Sequence, residues 1–311
     1  MARILTLTLS PAIDVSTSVE RLMPVHKLRC GPVRRDPGGG GINVARVIHR
    51  LGGDVAAVYP AGGLIGALLH KLADAEGVRS HTVPIAEETR ENFTVVEGVG
   101  SQEYRFVLPG PQLSEGEWRA CLEAVVGAGE RPDFIVASGS LPRGVPAEFF
   151  RVLAKTAKGR GTKLVLDSTK PALMAALEEG IHLIKPNLRE FRELMDEPLM
   201  SRREWIDAAR RLIARGVERV ALTLGDRGAL LITREEAWFA EGLPVKAISS
   251  VGAGDSFLGA MVWALSAGHS LPDALRYGIA AGSAAVLAPG TSLCSAHDVK
   301  RLLQEVEVEQ A

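Results

Sequence analysis

The chain has 311 residues, enough for one large α/β domain or two ordinary ones with a substantial buried core. Its 36 Lys and Arg balance 37 Asp and Glu, a net charge of −1, which excludes a global field for nucleic acid or an anionic membrane, so any anion site must be local. Cys30, Cys121 and Cys294 are too few and too far apart for a disulfide framework or a CxxC metal site, and are expected to be reduced thiols.

The segment Met1 to Leu9 alternates apolar and polar residues and lacks the unbroken apolar core of a signal peptide. No apolar run reaches membrane-spanning length, and a soluble cytoplasmic protein is expected. Leu5, Leu7 and Leu9 alternate with Thr6 and Thr8 in the first predicted strand. From there a short β-rich segment followed by a helical one repeats, the pattern of a mostly parallel sheet with helices on both faces. Phe134 to Ala137, Leu164 to Leu166, Ile181 to Ile184 and Val220 to Leu224 are the apolar runs of buried strands. Two regions interrupt the rhythm, roughly 14–36 and 90–109. In the second, Tyr104, Phe106 and Leu108 alternate with Arg105 and Val107, as in strands with unlike faces. The turn Glu97-Gly98-Val99-Gly100-Ser101 joins two such strands. Together these segments predict a small separate sheet used as a lid, within a single domain spanning residues 1–311.

Gly38-Gly39-Gly40-Gly41-Ile42-Asn43-Val44-Ala45 runs into a helix whose apolar positions Ile42, Val44, Ala45, Val47, Ile48 and Leu51 make a wide buried face, with Gly52 as its stop. Four glycines let a ligand approach the backbone. A flexible strand-to-helix turn is the competing reading, and Asn43, one turn inside, favours the ligand. Further on, Lys185-Pro186-Asn187-Leu188-Arg189-Glu190 follows a buried strand. Asn187 and Glu190, three apart at a helix start, point the same way and offer the oxygen that Mg²⁺ takes, often through retained waters. Alone, this spacing is also that of an ordinary solvated helix start. Thr223-Leu224-Gly225-Asp226-Arg227-Gly228 reads equally as a nucleotide-facing loop or a simple hairpin.

Val251-Gly252-Ala253-Gly254-Asp255 precedes a long apolar helix, Ser256 to Ala267, so its peptide N–H groups sit at a helix N-terminus that favours anions. The N–H groups of Gly252, Ala253 and Gly254 can hold a transferring phosphate while Asp255 accepts a proton from an attacking hydroxyl. The competing reading makes Asp255 a helix cap. No GxxxxGK[ST], complete GxGxxG or HExxH is present, which excludes a P-loop enzyme and argues against a dinucleotide oxidoreductase or a zinc enzyme of that type. The seven histidines are scattered and are expected in packing or at the surface.

In this order, Gly38 to Ala45, Ser138-Gly139-Ser140-Leu141-Pro142, Lys185 to Glu190 and Gly252 to Asp255 resemble the PfkB, or ribokinase-like, family of sugar kinases across almost the whole chain. Thr6 to Asp14, Lys27 to Cys30, Tyr104-Arg105-Phe106 and Gly290 to Ser295 resemble its phosphosugar branch, and within it the PfkB-type 6-phosphofructokinases. Gly40 stands where 1-phosphofructokinases and tagatose-6-phosphate kinases typically carry Lys.

The resemblance implies a central α/β sandwich with a β-sheet lid, ATP and Mg²⁺ in the reaction, phosphorylation of the 1-hydroxyl of fructose 6-phosphate, and lids paired across a homodimer. It implies that Asp14, Gly39 and Asn43 bind sugar hydroxyls, with Ser138 also in the substrate site, and that Lys27, Arg90 and Arg105 hold the sugar's phosphate. Asn187 and Glu190 would organise Mg²⁺, Lys185 and Asn187 would lie near the ATP phosphates, and Thr223, Gly225 and Gly228 would contact the nucleotide. A K⁺ site from the carbonyls of Ser249, Val251, Ala285, Ala288, Gly290 and Ser292 is a further implication. Tagatose-6-phosphate kinase and 1-phosphofructokinase are the rival readings within the class, and a non-catalytic sugar-phosphate sensor is the rival outside it.

Overall fold

The computed structural model describes residues 3–100 and 102–311; Met1 of the first expected strand and Ser101 of the expected turn lie outside the described residues. In chain order the strands are β1 (Arg3–Leu7), β2 (Ala12–Val19), β3 (Arg34–Gly38), β4 (Asp54–Ala61), β5 (Arg79–Pro84), β6 (Arg90–Glu97), β7 (Glu103–Val107), β8 (Phe134–Ser138), β9 (Lys163–Asp167), β10 (Leu183–Ile184), β11 (Val220–Thr223), β12 (Ala229–Ile232), β13 (Ala237–Ala240) and β14 (Val308–Gln310). The helices are α1 (Gly40–Arg50), α2 (Gly63–Ala75), α3 (Glu115–Gly127), α4 (Glu148–Gly159), α5 (Lys170–Ala176), α6 (Leu188–Met195), α7 (Arg202–Ile213), α8 (Ala253–Ser266), α9 (Leu271–Ala285) and α10 (Ala296–Leu302).

Ten strands form one sheet in the order β14-β13-β12-β11-β10-β9-β8-β1-β4-β5. Pairing is parallel from β11 to β5 and antiparallel from β11 out to β14. The chain starts in the middle at β1, builds β4 and β5 on one side, then crosses to β8 and continues the other way. The strand order therefore reverses between β1 and β8, and ligands of open α/β sheets bind beyond the carboxyl ends of the strands at such a point.

Both faces of the sheet are covered, and alternate residues of one strand feed opposite layers. Leu5 and Leu7 pack with Phe149, Leu153 and Phe191, whereas Ile4 packs with Ile42, Val47 and Leu258. Thr6 and Thr8, the polar half of the alternation in β1, are 0% and 1% exposed, so that alternation marks two buried faces and not a wet one. Thr8 is buried for a reason: its hydroxyl accepts from the Ile42 N–H (3.0 Å) and so satisfies one of the free donors at the start of α1. The expected run at Ile181 to Ile184 is cut to two residues, with Ile181 held only by an isolated bridge to Val217. Helix α1 ends as read, with Gly52 at φ +81° and its N–H on the His49 carbonyl (2.9 Å).

The second sheet is small, β3-β2-β6-β7, and draws on residues 12–38 and 90–107, close to the two regions that broke the rhythm. Residues 20–33 between its first two strands contain no strand. The alternation in β7 does not produce one covered face: Phe106 and Val107, adjacent in sequence, are 50% and 62% exposed. Phe106 and Val107 are open, while Glu103 at the start of the strand accepts from the Ser249 hydroxyl (2.8 Å). Among the described residues no helix is long and apolar enough to cross a membrane.

Candidate active site

The carboxyl ends of the parallel strands deliver most of the polar residues singled out from the sequence. Ser138 ends β8, Asp167 ends β9, Lys185 to Asn187 follow β10, and Thr223 ends β11. Helices α1 and α8 start among them and pack closely: a methyl group on Gly259 would stand 2.9 Å from Val47 Cβ and 3.1 Å from the Val44 carbonyl.

Helix α8 begins three residues earlier than expected, at Ala253, with Gly252 as its N-cap at φ +76°. Asp255 is therefore inside the first turn and does not cap the helix. Its carboxylate instead accepts from the Asn43 side-chain amide on α1 (2.8 Å). The first intrahelical bond runs from Ser256 N–H to the Gly252 carbonyl (2.9 Å), so the N–H groups of Gly252, Ala253, Gly254 and Asp255 have no partner among the described residues. Those free donors lie where the sequence reading places an anion hole. Burial pushes the Asp255 carboxyl up to about 6, with Asp167 and Asp14 adding to the effect and Asn43 and Lys185 opposing it.

Lys185 is buried and pairs with Asp167 (3.3 Å). Burial works against its charge, but Asp167, Asp255 and Glu190 outweigh that and hold the ammonium above its ordinary range. Asp167, a residue sequence reasoning missed, also accepts from the Ser138 hydroxyl (3.3 Å). Asn187 and Glu190 close a reciprocal capping box at the start of α6: Asn187 Oδ1 accepts from Glu190 N–H and Glu190 Oε2 from Asn187 N–H, both at 2.9 Å. The helix-start reading and the ligand reading thus share these residues. Asn187 Oδ1 keeps one lone pair beyond the cap, and Glu190 Oε1 has no hydrogen-bond partner among the described residues. Among the described residues no three His, Cys, Asp or Glu side chains are grouped to hold a metal ion by themselves. One free carboxylate oxygen beside a phosphate site suits Mg²⁺, which keeps several waters and takes one or two carboxylates plus substrate oxygens.

A cleft of ≈480 Å³ opens beside Lys185 and Asn187, lined by Thr223, Gly225 and Gly228 on one wall and by Leu243, Val245, Phe257, Ile279 and Val286 on the other. Residues 223–228 are both things the sequence allowed, a hairpin turn between β11 and β12 and a wall of this cleft. The apolar wall was not legible locally, since its residues are gathered from three separate segments.

On the other side of the 251–254 turn, Asp14 and Arg105 share a small pocket with Ser16, Asn92, Thr94, Val251, Gly290 and Thr291. The parallel register of β2 and β6 sets Asn92 beside Asp14, and its amide donates to the carboxylate (3.0 Å). Burial still raises the Asp14 carboxyl above its ordinary range, against Asn92 and the Arg105 charge. Arg105 itself has no hydrogen-bond or ion-pair partner among the described residues and is open to an incoming anion. Arg90 is tied down, with its two terminal nitrogens on the Leu108 and Ser10 carbonyls (3.0 and 3.2 Å) and only the buried Nε unpartnered. Lys27 is exposed in the strandless segment and does not line this pocket. Gly39 is the N-cap of α1 at φ +115°, and a methyl group there would meet Thr8 Cγ2 at 2.7 Å. Gly40 abuts Ser138, whose hydroxyl a side chain at position 40 would overlap.

Of the carbonyls expected to hold K⁺, that of Ser292 accepts from Arg50 at 2.6 Å and that of Ala285 from the Ala288 N–H at 3.1 Å, and each keeps a second lone pair. Ser249, Val251, Ala285, Ala288 and Gly290 flank one junction, joined by bonds from Ile248 and Ser249 N–H to the Val286 carbonyl (2.7 and 3.4 Å).

Because the folded Asp255 carboxyl is raised from 3.8 to about 6, the folded state holds that proton more tightly than the unfolded chain does. The resulting stability is complete below 3.8 and is lost as the pH rises through about 6. Asp255→Asn, which cannot ionise, is expected to melt above the wild type at pH 8, with the gap closing toward pH 4 in calorimetric scans. A variant that melts lower at pH 8 would contradict the shift.

Comparison with known proteins agrees with this geometry. The model of the pfkB family of carbohydrate kinases matches residues 3–298. The ATP-dependent 6-phosphofructokinase isozyme 2 of Mycobacterium tuberculosis is 45% identical over 303 residues, covering 97% of this chain and 89% of its own length. The enzyme of the same name from Escherichia coli is 42% identical over 304 residues, covering 97% and 98%. Crystal structures of Escherichia coli phosphofructokinase-2 with fructose-6-phosphate and with potassium match at TM-scores of 0.92 and 0.93, each 41% identical and covering 98% of this chain and 99% of that one. A 1-phosphofructokinase from Bacillus subtilis is more distant, 30% identical over 305 residues, covering 98% and 99%. The fold is ribokinase-like, and the chain belongs to the pfkB family of carbohydrate kinases.

Proposed function

We propose that this chain is an ATP-dependent 6-phosphofructokinase, moving the γ-phosphate of ATP to the 1-hydroxyl of fructose 6-phosphate to give fructose 1,6-bisphosphate and ADP. One observation carries the reading: the turn 251–254 lines a nucleotide-sized cleft at one end and the Asp14–Arg105 pocket at the other, the N–H groups of 252–255 are unpartnered among the described residues, and Asp255 beside them opens on a cleft shared with Gly40, Ser138 and Glu190. The identities of the relatives favour 6-phosphofructokinases over 1-phosphofructokinases, 45% and 42% against 30%. Gly40 agrees with them, since it leaves no room for the Lys of the other kinases beside Ser138.

In this reading the adenine side of ATP lies along Val245, Phe257, Ile279 and Val286, and its phosphates reach Lys185 and the start of α8. Fructose 6-phosphate enters past Asp14 with its phosphate on Arg105. Asp255 takes the proton of the attacking hydroxyl, and the N–H groups of 252–254 hold the charge that grows on the transferring phosphate. A carboxyl near 6 suits this role, ionised at neutral pH yet basic enough to accept a proton. Mg²⁺, when bound, neutralises the ATP phosphates; Glu190, with Asn187 holding its carboxylate in place, is the side chain that would hold it through water. K⁺ would take the carbonyls of Ser249, Val251, Ala285, Ala288, Gly290 and Ser292. The chain acts as one cytoplasmic kinase unit over residues 1–311 with the small sheet as lid. The exposed Phe93 and Phe106, opposite each other across β6 and β7, are covered by the lid of a second copy in a homodimer.

A coupled ADP-release assay over a panel of sugars and sugar phosphates tests the reaction, and the same assay with chelator reads the Mg²⁺ requirement. Fructose 6-phosphate is expected to be preferred, and Asp255→Asn to lower kcat by about 10²–10⁴ with ATP binding retained. Equal turnover of the variant would remove Asp255 as base. Arg105→Ala is expected to cost about 10- to 100-fold in kcat/KM for fructose 6-phosphate, one charge-assisted bond of roughly 1.5–3 kcal/mol. Fructose should lose little in the same variant, and equal losses for both sugars would make Arg105 a structural residue. Light scattering at assay concentrations is expected to give a dimer; a fully active monomer would refute the paired lids.

A further inference from the structure

Arg46 is the largest fully buried side chain in the molecule, 0% exposed, and lies one helical turn beyond Asn43 on α1. One of its terminal nitrogens, Nη1, donates to three oxygens: the carbonyls of Pro37 (3.1 Å) and Thr291 (3.0 Å) and Asn43 Oδ1 (3.2 Å). The other, Nη2, pairs with Glu76 at the end of α2 (3.2 Å) and lies 3.9 Å from Asp36. Glu76 is shared with Arg50, whose guanidinium holds the Ser292 and Cys294 carbonyls (2.6 and 3.1 Å). The network thus ties the entry to the glycine run, the body of α1, the end of α2 and the 291–294 loop into one unit.

A guanidinium has five donors and no acceptor. The atom of Asn43 that faces Arg46 is therefore the amide oxygen, and the atom that faces Asp255 must be the NH₂. This argument fixes the amide by chemistry, independent of how its oxygen and nitrogen are told apart. Were the amide reversed, its oxygen would face the Asp255 carboxylate and repel it. We infer that Arg46 is a positioning residue for phosphoryl transfer: it locks the Asn43 amide so that its NH₂ always donates to the ionised Asp255, keeping the base charged in a buried site. Asn43 accordingly serves the base through its NH₂, while Arg46 uses one lone pair of its oxygen.

The inference rests on the reading of Asp255 as general base. The other charged groups facing Asp255 are Asp167 at the end of β9, Lys185 after β10 and Asp14 on β2, and none of them changes in the variants below. Arg46→Lys keeps the charge that balances Glu76 and Asp36 but cannot span the same oxygens, and Arg46→Met with Glu76→Gln removes a charge of each sign. In both, the acid limb of the kcat/KM profile is expected to move up by about one pH unit, the worth of one bond to a carboxylate, with KM for ATP unchanged. Glu76→Gln alone leaves the bond to Asn43 in place and is expected to leave that limb where it is. Should the limb stay fixed in both Arg46 variants while melting temperature falls, Arg46 is a packing residue and the inference is wrong.

A second measurement needs neither an Arg46 variant nor turnover. In the wild type, the side-chain amide resonances of Asn43 are expected to shift with pH in step with the ionisation of Asp255. Asn43 resonances that stay put through that ionisation would overturn the inference even if no Arg46 variant folds. If they do shift but Asp255→Asn retains full turnover, it is the assignment of the base that has failed and not the hydrogen-bond relay.

Discussion

A carboxylate kept out of water at the start of a helix is the constraint around which this site is built. Asp255 gains from its position, since the N-terminal end of α8 favours negative charge, and loses from burial, which favours its protonated form. Neither effect alone leaves a usable base. Fully solvated, it would ionise near the ordinary aspartate value and hold protons too weakly; buried without partners, it would stay protonated at neutral pH. Asn43 from one side and Lys185 from the other bring it between these limits, and each of them needs a further partner to be held there, Arg46 for the amide and Asp167 for the ammonium.

That requirement explains the architecture around it. Asn43 and Asp255 are 212 residues apart and meet only because α1 and α8 pack against each other on the same face of the sheet. Their close approach depends on Gly259, where any side chain would run into Val47 and the Val44 carbonyl. The pairing of Lys185 with Asp167 depends on β9 and β10 being parallel neighbours, so that both chains leave the sheet at the same edge. The reversal of strand order between β1 and β8 then opens the crevice into which these groups project.

How much of this the sequence announces varies with how local the cause is. Gly252 to Asp255 and Asn187 to Glu190 are legible because a helix start is specified by a handful of adjacent residues. The two β-rich interruptions are legible because they break a periodic pattern. Asn92 is not, since its place beside Asp14 depends on the register of two strands separated by 78 positions. The apolar wall of the cleft fails for the same reason. Arg46 did leave a signal: with Asn43 it interrupts the otherwise apolar stretch Ile42 to Ile48, on a helix buried on nearly every side, and a cation there must find buried acceptors. Asp167 left one too, as a carboxylate closing the apolar run Leu164 to Leu166 at the carboxyl end of a buried strand.

Charge counting within the site gives a reason for a divalent ion that the carboxylate geometry alone does not. Asp167, Glu190 and Asp255 bear on Lys185, and the other cations of their cleft, Lys170 and Arg189, are paired with Asp196 and Glu193, so the site carries a negative balance before any substrate arrives. Lys185 is already neutralised by Asp167 and has little attraction left for a polyphosphate. The N–H groups at the start of α8 offer partial charges only, worth a few tenths to about 2 kcal/mol. A nucleotide bringing several further negative charges into this setting would be repelled by Glu190 and Asp255, unless a cation arrived with it. An isolated carboxylate oxygen at Glu190, held in place by its cap with Asn187, is what such a cation finds, and the repulsion that would exclude the free nucleotide becomes an attraction for the metal-bound one. In the proposed reaction the carboxylates select the form of the nucleotide that binds, while the open cation of Arg105, on the far side of the 251–254 turn, is the group proposed to select the sugar.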